Sequence, residues 1–267
     1  MNNPIPTLQS FADNVFKRYQ KWWDLYMNEF IGKTIQIGKE TLPLLQREYV
    51  LSKGLLSQAN SITIPCIEID LFYRIAKDGI LFVNCNPSGT DYNYYQGSNT
   101  NLPTDFFFYS KPDNPYFNAS DEFAKAAGAQ NNYAIINTFP IVLKEQAVLK
   151  KAVYDAYNYN NSRIPAFDEL FDILLDTIVK IQPRVVVATN AFVKDLFINK
   201  ISPLHQKIKC RPNKDPDKVC YDIEIGAFKT TLFCGGMIAG GHQMDTESKK
   251  RLIRDVKCFL KHSSIRF

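Results

Sequence analysis

The residues of this 267-residue chain best suited to chemistry stand at the ends of apolar runs. In "ILFVNCNPSG", residues 80–89, a buried-strand pattern runs straight into Asn84, Cys85, Asn86, Pro87 and Ser88. An asparagine at a strand tip either closes a turn by bonding nearby backbone or presents an amide, donor and acceptor together, to a ligand. Asn137 ends the run "YAIIN", and Asn190 follows "RVVVAT". A fourth run, "TTLFCG", opens the glycine-rich segment "CGGMIAGGHQMD", residues 234–245. Between a strand and a helix, such a segment lets the backbone at Gly235 and Gly236 approach a phosphate, although a plain flexible connection has the same composition.

Other chemistries lose support. The six cysteines include no C-x-x-C pair and the three histidines are far apart, so a reducing compartment with no structural zinc is expected. No metal or cofactor is predicted. Walker A, G-x-G-x-x-G, H-E-x-x-H and G-x-S-x-G patterns are absent.

The elements that must position these tips follow from hydrophobic pattern. The runs at 79–85, 133–137, 184–189 and 230–235 are continuously apolar, as strands covered on both faces require, which predicts a parallel sheet. Helical patterns separate them: "SDEFAKAAG" with Ser120 as N-cap, "AFDELFDILLDTIVKIQP" with a stripe at Phe167, Leu170, Leu174 and Ile178, and "DTESKKRLIRDVKCFLKH" capped by Asp245. Residues 7–30 predict an amphipathic helix and about 40–58 a second, giving an N-terminal helical extension over 1–75 packed on an α/β domain over 76–267. Between strand-like runs, "CRPNKDPDKVC" at 210–220 reads as a hairpin or exposed loop. In an α/β sheet, ligands bind beyond the carboxyl ends of the strands where chain order switches, and three of the four expected ends carry an amide.

With 45% hydrophobic and 22% charged residues the chain is an ordinary globular one. A net charge of +5 is compatible with a polyanionic partner without requiring one. The polar start "MNNPIPTLQS" has no signal-like pattern and no apolar stretch is membrane-length, so a cytoplasmic, non-membrane, monomeric protein is expected.

Taken in order, these features resemble the uracil-DNA glycosylase superfamily, most closely its mismatch-specific and single-strand-selective branches. Those branches end the first strand in Gly-x-Asn-Pro-Gly or Ser, where this chain reads Asn84, Cys85, Asn86, Pro87, Ser88. The mismatch branch follows with Asn-x-Phe-Trp opening a helix, and here Asn114, Pro115, Tyr116, Phe117 stand in that place. Other branches end the second strand in a pyrimidine-reading Asn, matched by Asn137, and "PRVVVATNAFVKDLF" is similar to the third strand and its helix. The resemblance runs from about residue 78 to the C-terminus. The family's second motif is divergent: Gly235, Gly236, Met237 and Ile238 stand where His-Pro-Ser-Pro or Asn-Pro-Ser-Gly is usual, and Asn84 stands in place of a glycine.

The resemblance implies a three-layer α/β/α fold with a central four-stranded parallel sheet in the order 2-1-3-4. It implies N-glycosidic hydrolysis of uracil or a related damaged or mismatched base in single- or double-stranded DNA, without a cofactor. Asn86 would hold the attacking water, Asp91 would act as nearby base, and His242 would donate to the departing base. Phe117 would stack on the flipped base and Asn137 would read its edge, within a pocket walled by Cys85, Pro87, Ser88, Gly235 and Gly236. Met237 or Ile238 would wedge the duplex, and Lys249 and Lys250 would meet phosphates. The alternative is an inactive nucleic-acid or nucleotide binder of the same fold.

Overall fold

The structure, a computed structural model, describes residues 18, 34–37, 40–43, 78–85, 115–139, 165–201, 207–213, 220–239 and 243–262. The chain divides into two compact units, Met1–Ile67, Asn86–Phe107 and Phe139–Ile173 in one, and Glu68–Cys85, Phe108–Thr138 and Leu174–Phe267 in the other.

In the first unit, β1 (Thr34–Ile37) and β2 (Glu40–Pro43) form an antiparallel pair with Thr34 opposite Pro43. The helix expected from about residue 40 therefore opens on a strand: Thr41 is β-branched and Pro43 cannot sit inside a helix. Its remainder lies outside the described residues, as does the helix expected over 7–30 except for Arg18, which is helical and bonds Glu169 through Nε at 2.9 Å. Phe139 meets Phe171 edge-on in the same unit.

The second unit is built on a six-stranded mixed sheet. Its strands are β3 (Ile80–Asn84), β4 (Tyr133–Asn137), β5 (Val185–Ala188), β6 (Ile208–Pro212), β7 (Cys220–Ile225) and β8 (Phe228–Cys234), in the order β4-β3-β5-β8-β7-β6. Contacts of β3 with β4 and β5, and of β5 with β8, are parallel; β8 with β7 and β7 with β6 are antiparallel. The fold is α/β, as expected, but the sheet is larger and more mixed than a four-stranded parallel one. Two reversals enlarge it. "VCYDIEIGAF" is not one run: Gly226, at φ +59°, turns the chain so that Ile225 pairs with Phe228, and the 210–220 segment joins β6 to β7 as a hairpin. Ile80–Val83 and Val185–Ala188 are completely buried, in keeping with their unbroken apolar pattern.

Helix α1 (Pro115–Ala127) begins five residues before its predicted cap. Proline serves well at a first helical position, where its missing N–H costs nothing. Ser120 is not the N-cap; it is buried in the second turn and its hydroxyl donates to the Tyr116 carbonyl at 2.8 Å. Gly128, at φ +84°, ends the helix as predicted. Phe123 of α1 meets Phe82 edge-on at 5.3 Å, and Phe82 meets Tyr133 at 5.9 Å. Side chains alternate across a strand, so α1 covers the face that carries Phe82, Asn84, Tyr133 and Asn137.

Helix α2 (Pro165–Ile181) buries Leu170, Leu174 and Ile178 as predicted and stops before Pro183. The side chain of Phe167 lies outside the described residues. A short helix α3 (Ala191–Asp195) leads into a π-helical segment, Leu196–Ile201. Helix α4 (Thr246–His262) packs on α1, with Phe259 edge-on to Phe233 at 5.8 Å. Asp245 caps it as predicted, accepting from the Ser248 backbone at 2.9 Å. No described helix is long and apolar enough to cross a membrane.

Candidate functional site

The order of the parallel strands fixes where a ligand is to be sought. From β3 the chain passes to β4 on one side, and from β4 it returns across β3 to β5, moving on from there to β8. The connections after β3 and β5 thus leave in opposite directions, and the crevice between their carboxyl ends is the topological switch point. Asn84 and Cys85 stand on one side of it, Thr189 and Asn190 on the other.

Register sets a row of side chains across this edge. Asn84 is opposite Asn137 in the β3–β4 ladder. Phe82 is opposite Val187, and Val187 opposite Phe233, so continuing each ladder by two residues brings Thr189 beside Asn84 and Gly235 beside Thr189. Asn137, Asn84, Thr189 and Gly235 therefore form one row on the α1 face, spaced by roughly 4.8 Å per strand.

Asn84 is held from both neighbouring strands. Thr138 grips its backbone, since the Thr138 N–H and hydroxyl both donate to the Asn84 carbonyl, at 2.9 and 3.0 Å. Thr189 grips its side chain. The Thr189 hydroxyl lies within bonding distance of Asn84 Oδ1 and of the Val83 carbonyl, the latter at 3.3 Å. A hydroxyl has one proton to give, and Asn84 Oδ1 is the nearer of the two acceptors, so the proton goes to Asn84. Asn84 is 9% exposed, and its NH₂ has no acceptor among the described residues. Asn137 is half-buried, and its side-chain amide likewise has no partner among them.

Not every predicted site residue serves as expected. Asn190 spends its carbonyl capping α3, accepting from the Phe192 N–H at 2.8 Å. The Gly235 N–H donates to the Ala188 carbonyl at 2.9 Å and is not available to a phosphate. A Cβ there would come within 2.7 Å of Leu252 Cδ2 and Met244 Cε, the ends of two flexible side chains that would have to shift. Gly236 is half-buried against Met244. Ile238 is 1% exposed, so it packs inward and is not a wedge for a duplex; the apolar loop residue has taken the cheaper course of burial. Met237 is half-buried, with its carbonyl accepting from Met244. Lys249 reaches back to the Ile238 carbonyl at 3.4 Å and Lys250 pairs with Glu247 at 2.8 Å, the latter on the surface. Asn86, Pro87, Ser88, Asp91 and His242 lie outside the described residues, and Phe117 is placed in the first turn of α1 without a described side chain.

Cys85 is 2% exposed, and burial pushes its thiol well above the ordinary range. Tyr116, in the first turn of α1, has its phenol pushed up by burial and next by the nearness of Cys85, which puts the start of α1 against the end of β3. Among the described residues no cluster of His, Cys, Asp or Glu could hold a metal ion. The arrangement is suited to hydrogen-bonding a polar planar ligand, with amides and hydroxyls in place of strong acids or bases.

Thr138 and Thr189 are the residues that sequence reasoning missed. A signal was present: in both "NTFP" and "VATN" a threonine stands at or just past the end of an apolar strand, where its hydroxyl can bond a neighbouring strand's last groups.

The chain matches no protein-family model and no curated protein.

Proposed function

We propose that this protein is a DNA-base glycosylase of the uracil-DNA glycosylase type, hydrolysing the N-glycosidic bond of uracil or a related damaged or mismatched base. The observation that carries the reading is the row Asn137, Asn84 and Thr189 along the carboxyl edge of four parallel strands, at the switch point and beside the start of α1. The strand order of that parallel portion, second-first-third-fourth, and the strand-final Asn137 are the features the resemblance calls for.

In this reading a flipped nucleotide enters the crevice and Asn137 meets its edge, the carbonyl accepting from N3–H and the NH₂ donating to O4. Water held by Asn86 attacks C1′ as the C1′–N1 bond breaks; the new C1′–O bond forms, and the base leaves as an anion that ends by taking the water's proton. Asn86 is an amide and cannot act as a general base, so Asp91 would relay that proton, while fixed donors, His242 among them, stabilise the departing anion. Phe117 supplies the stacking ring, Met237 the wedge, and Lys249 and Lys250 the phosphate contacts. The Lys250 ammonium is exposed and can exchange Glu247 for a phosphate at little cost, whereas half-buried Lys249 would give up the Ile238 carbonyl.

Incubation with uracil-containing oligonucleotides, single- and double-stranded, followed by alkali tests the proposal through strand breaks at abasic sites. Breaks confined to uracil positions are expected; no breaks and no salt-sensitive DNA binding would remove the nucleic-acid reading altogether. Asn137→Asp places an acceptor where O4 needs a donor, and about a tenfold or greater loss of activity on uracil is expected. Unchanged activity would exclude Asn137 from the pocket.

One observation favours the inactive binder as a second reading: at the fourth strand's end, the Gly235 N–H is consumed within the sheet and Ile238 is buried, so the described residues of that wall offer few groups for catalysis. Salt-sensitive DNA binding without any breaks would select it.

A further inference from the structure

A freely rotating asparagine is a poor judge of a pyrimidine. With its carbonyl toward N3 and its NH₂ toward position 4 it accepts uracil; turned over, the same amide donates to N3 of cytosine and accepts from its 4-amino group. Among the described residues nothing fixes the amide of Asn137 in either sense. Discrimination against cytosine then has to come from a group whose polarity cannot reverse.

We propose that Asn84 is that group, a specificity-determining donor for a 4-keto oxygen, and that Thr189 is the positioning residue that fixes it; the inference rests on the glycosylase reading of the site. Three features of the site meet here. The Asn84 side-chain carbonyl is taken by the Thr189 hydroxyl from the β5 side. The two ends of a planar amide diverge from Cγ, which turns the NH₂ away from Thr189 and toward the β4 side, where Asn137 stands in register. The residue is 9% exposed and its NH₂ has no acceptor among the described residues. The NH₂ is not among the described side-chain atoms buried without a partner, so it reaches solvent at this edge and can turn to a ligand; a pyrimidine oxygen at position 4 has a second lone pair to offer beside the one Asn137 uses.

The lock explains an otherwise awkward choice. Glycine at this position would leave room and no polarity, whereas Asn84 fills it with a donor whose sense is set by the neighbouring strand. Turning the amide over would put its NH₂ against the Thr189 hydroxyl and move that proton to the Val83 carbonyl, at 3.3 Å a longer bond than the one it replaces. Cytosine would bring its 4-amino group against the fixed Asn84 NH₂, two donors without an acceptor between them, a mismatch that costs a hydrogen-bonding site far more than a missing methyl group costs an apolar one.

The test compares cleavage rates on matched uracil- and cytosine-containing single-stranded oligonucleotides for the wild type, Thr189→Val, Thr189→Ser and Asn84→Asp, alongside NMR spectra of the side-chain amides with free uracil added. The expected result is a uracil-over-cytosine ratio that falls about tenfold or more in Thr189→Val and recovers in Thr189→Ser, with the Asn84 NH₂ signal shifting on addition of uracil to the wild type. Asn84→Asp should abolish the preference; if that variant fails to fold, the Thr189 pair and the spectrum still decide. Cleavage of uracil by the wild type with a ratio untouched by Thr189→Val, or an Asn137 shift without an Asn84 shift, overturns the role of Asn84 and leaves the glycosylase reading standing. No cleavage by the wild type and no shift at either asparagine overturns both.

Discussion

Asparagines 84, 137 and 190 are alike in sequence, each at or just past the tip of an apolar run, yet their neighbours give them three different tasks. Asn190 is consumed as a helix cap, Asn137 is left open, and Asn84 is fixed at its backbone by Thr138 and at its carbonyl by Thr189. A turn-former's local habits predict the first outcome. The other two depend on partners far away in the chain, Thr138 and Thr189 lying 54 and 105 positions from Asn84, which no local pattern contains. The cysteines diverge in the same manner. Burial drives the Cys234 thiol up to about 12, despite a lowering contribution from Lys194, and the Cys210 thiol up to about 11, with Asp222 adding to the rise. At pH 8 a thiol of pKa 11 is thiolate to only about one part in a thousand, so Cys210, Cys234 and the fully buried Cys85 should resist alkylation, while the exposed Cys258 reacts. Peptide mass spectrometry after a short iodoacetamide pulse checks this; early labelling of Cys85 or Cys234 would contradict the burial assigned to them.

Helices and strands were legible wherever a segment's own chemistry decides its state. The four apolar runs are strands because continuous β-branched and aromatic residues suit a sheet covered on both faces, and α4 begins after Asp245 because that carboxylate accepts from the first turn. The start of α1 was misplaced because serine is a good cap in the abstract, whereas a buried Ser120 can satisfy itself on the Tyr116 carbonyl inside the helix. The Ser248 hydroxyl, and then its backbone N–H, hold the Asp245 carboxyl below the usual carboxylate range. A folded-state value lowered in this way stabilises the protein above the unfolded value of about 3.9 and ceases to do so as pH falls through the folded one. The wild type should thus melt above Asp245→Ala near pH 6, and the gap should close as pH falls below about 4, as thermal melts followed by circular dichroism would show. Phe82 ties β3 to both α1 and β4 through its ring contacts, and Phe82→Ala should cost about 3–5 kcal/mol in urea unfolding. A cost under 1 kcal/mol would mean that the cluster around it is loosely packed.

Across the molecule, the net charge of +5 is unevenly spent. Helix α4 carries Lys249, Lys250, Arg251, Arg254, Lys257 and Lys261 against Glu247 and Asp255. Two of the six cations are paired on the surface, Lys250 with Glu247 and Arg254 with Asp255, and such pairs contribute little. If α4 meets DNA phosphates, Arg251→Glu combined with Lys261→Glu should weaken binding equally for all sequences. The slope of log affinity against log salt should flatten by about 0.9 per lost contact. An unchanged slope would place the DNA elsewhere. The sequence by itself determined the α/β class, the parallel runs with their polar tips, the apolar stripe of α2 and the cap of the last helix, since each follows from periodicity and residue type within one segment. Only the tertiary structure decided that the sheet grows to six strands through two reversals, that the Gly235 N–H is spent on Ala188 and Ile238 is buried, and that Thr138 and Thr189 clasp Asn84 at the switch point. Those outcomes depend on register and burial between segments far apart in the chain, and register is a property of paired strands that neither strand carries alone.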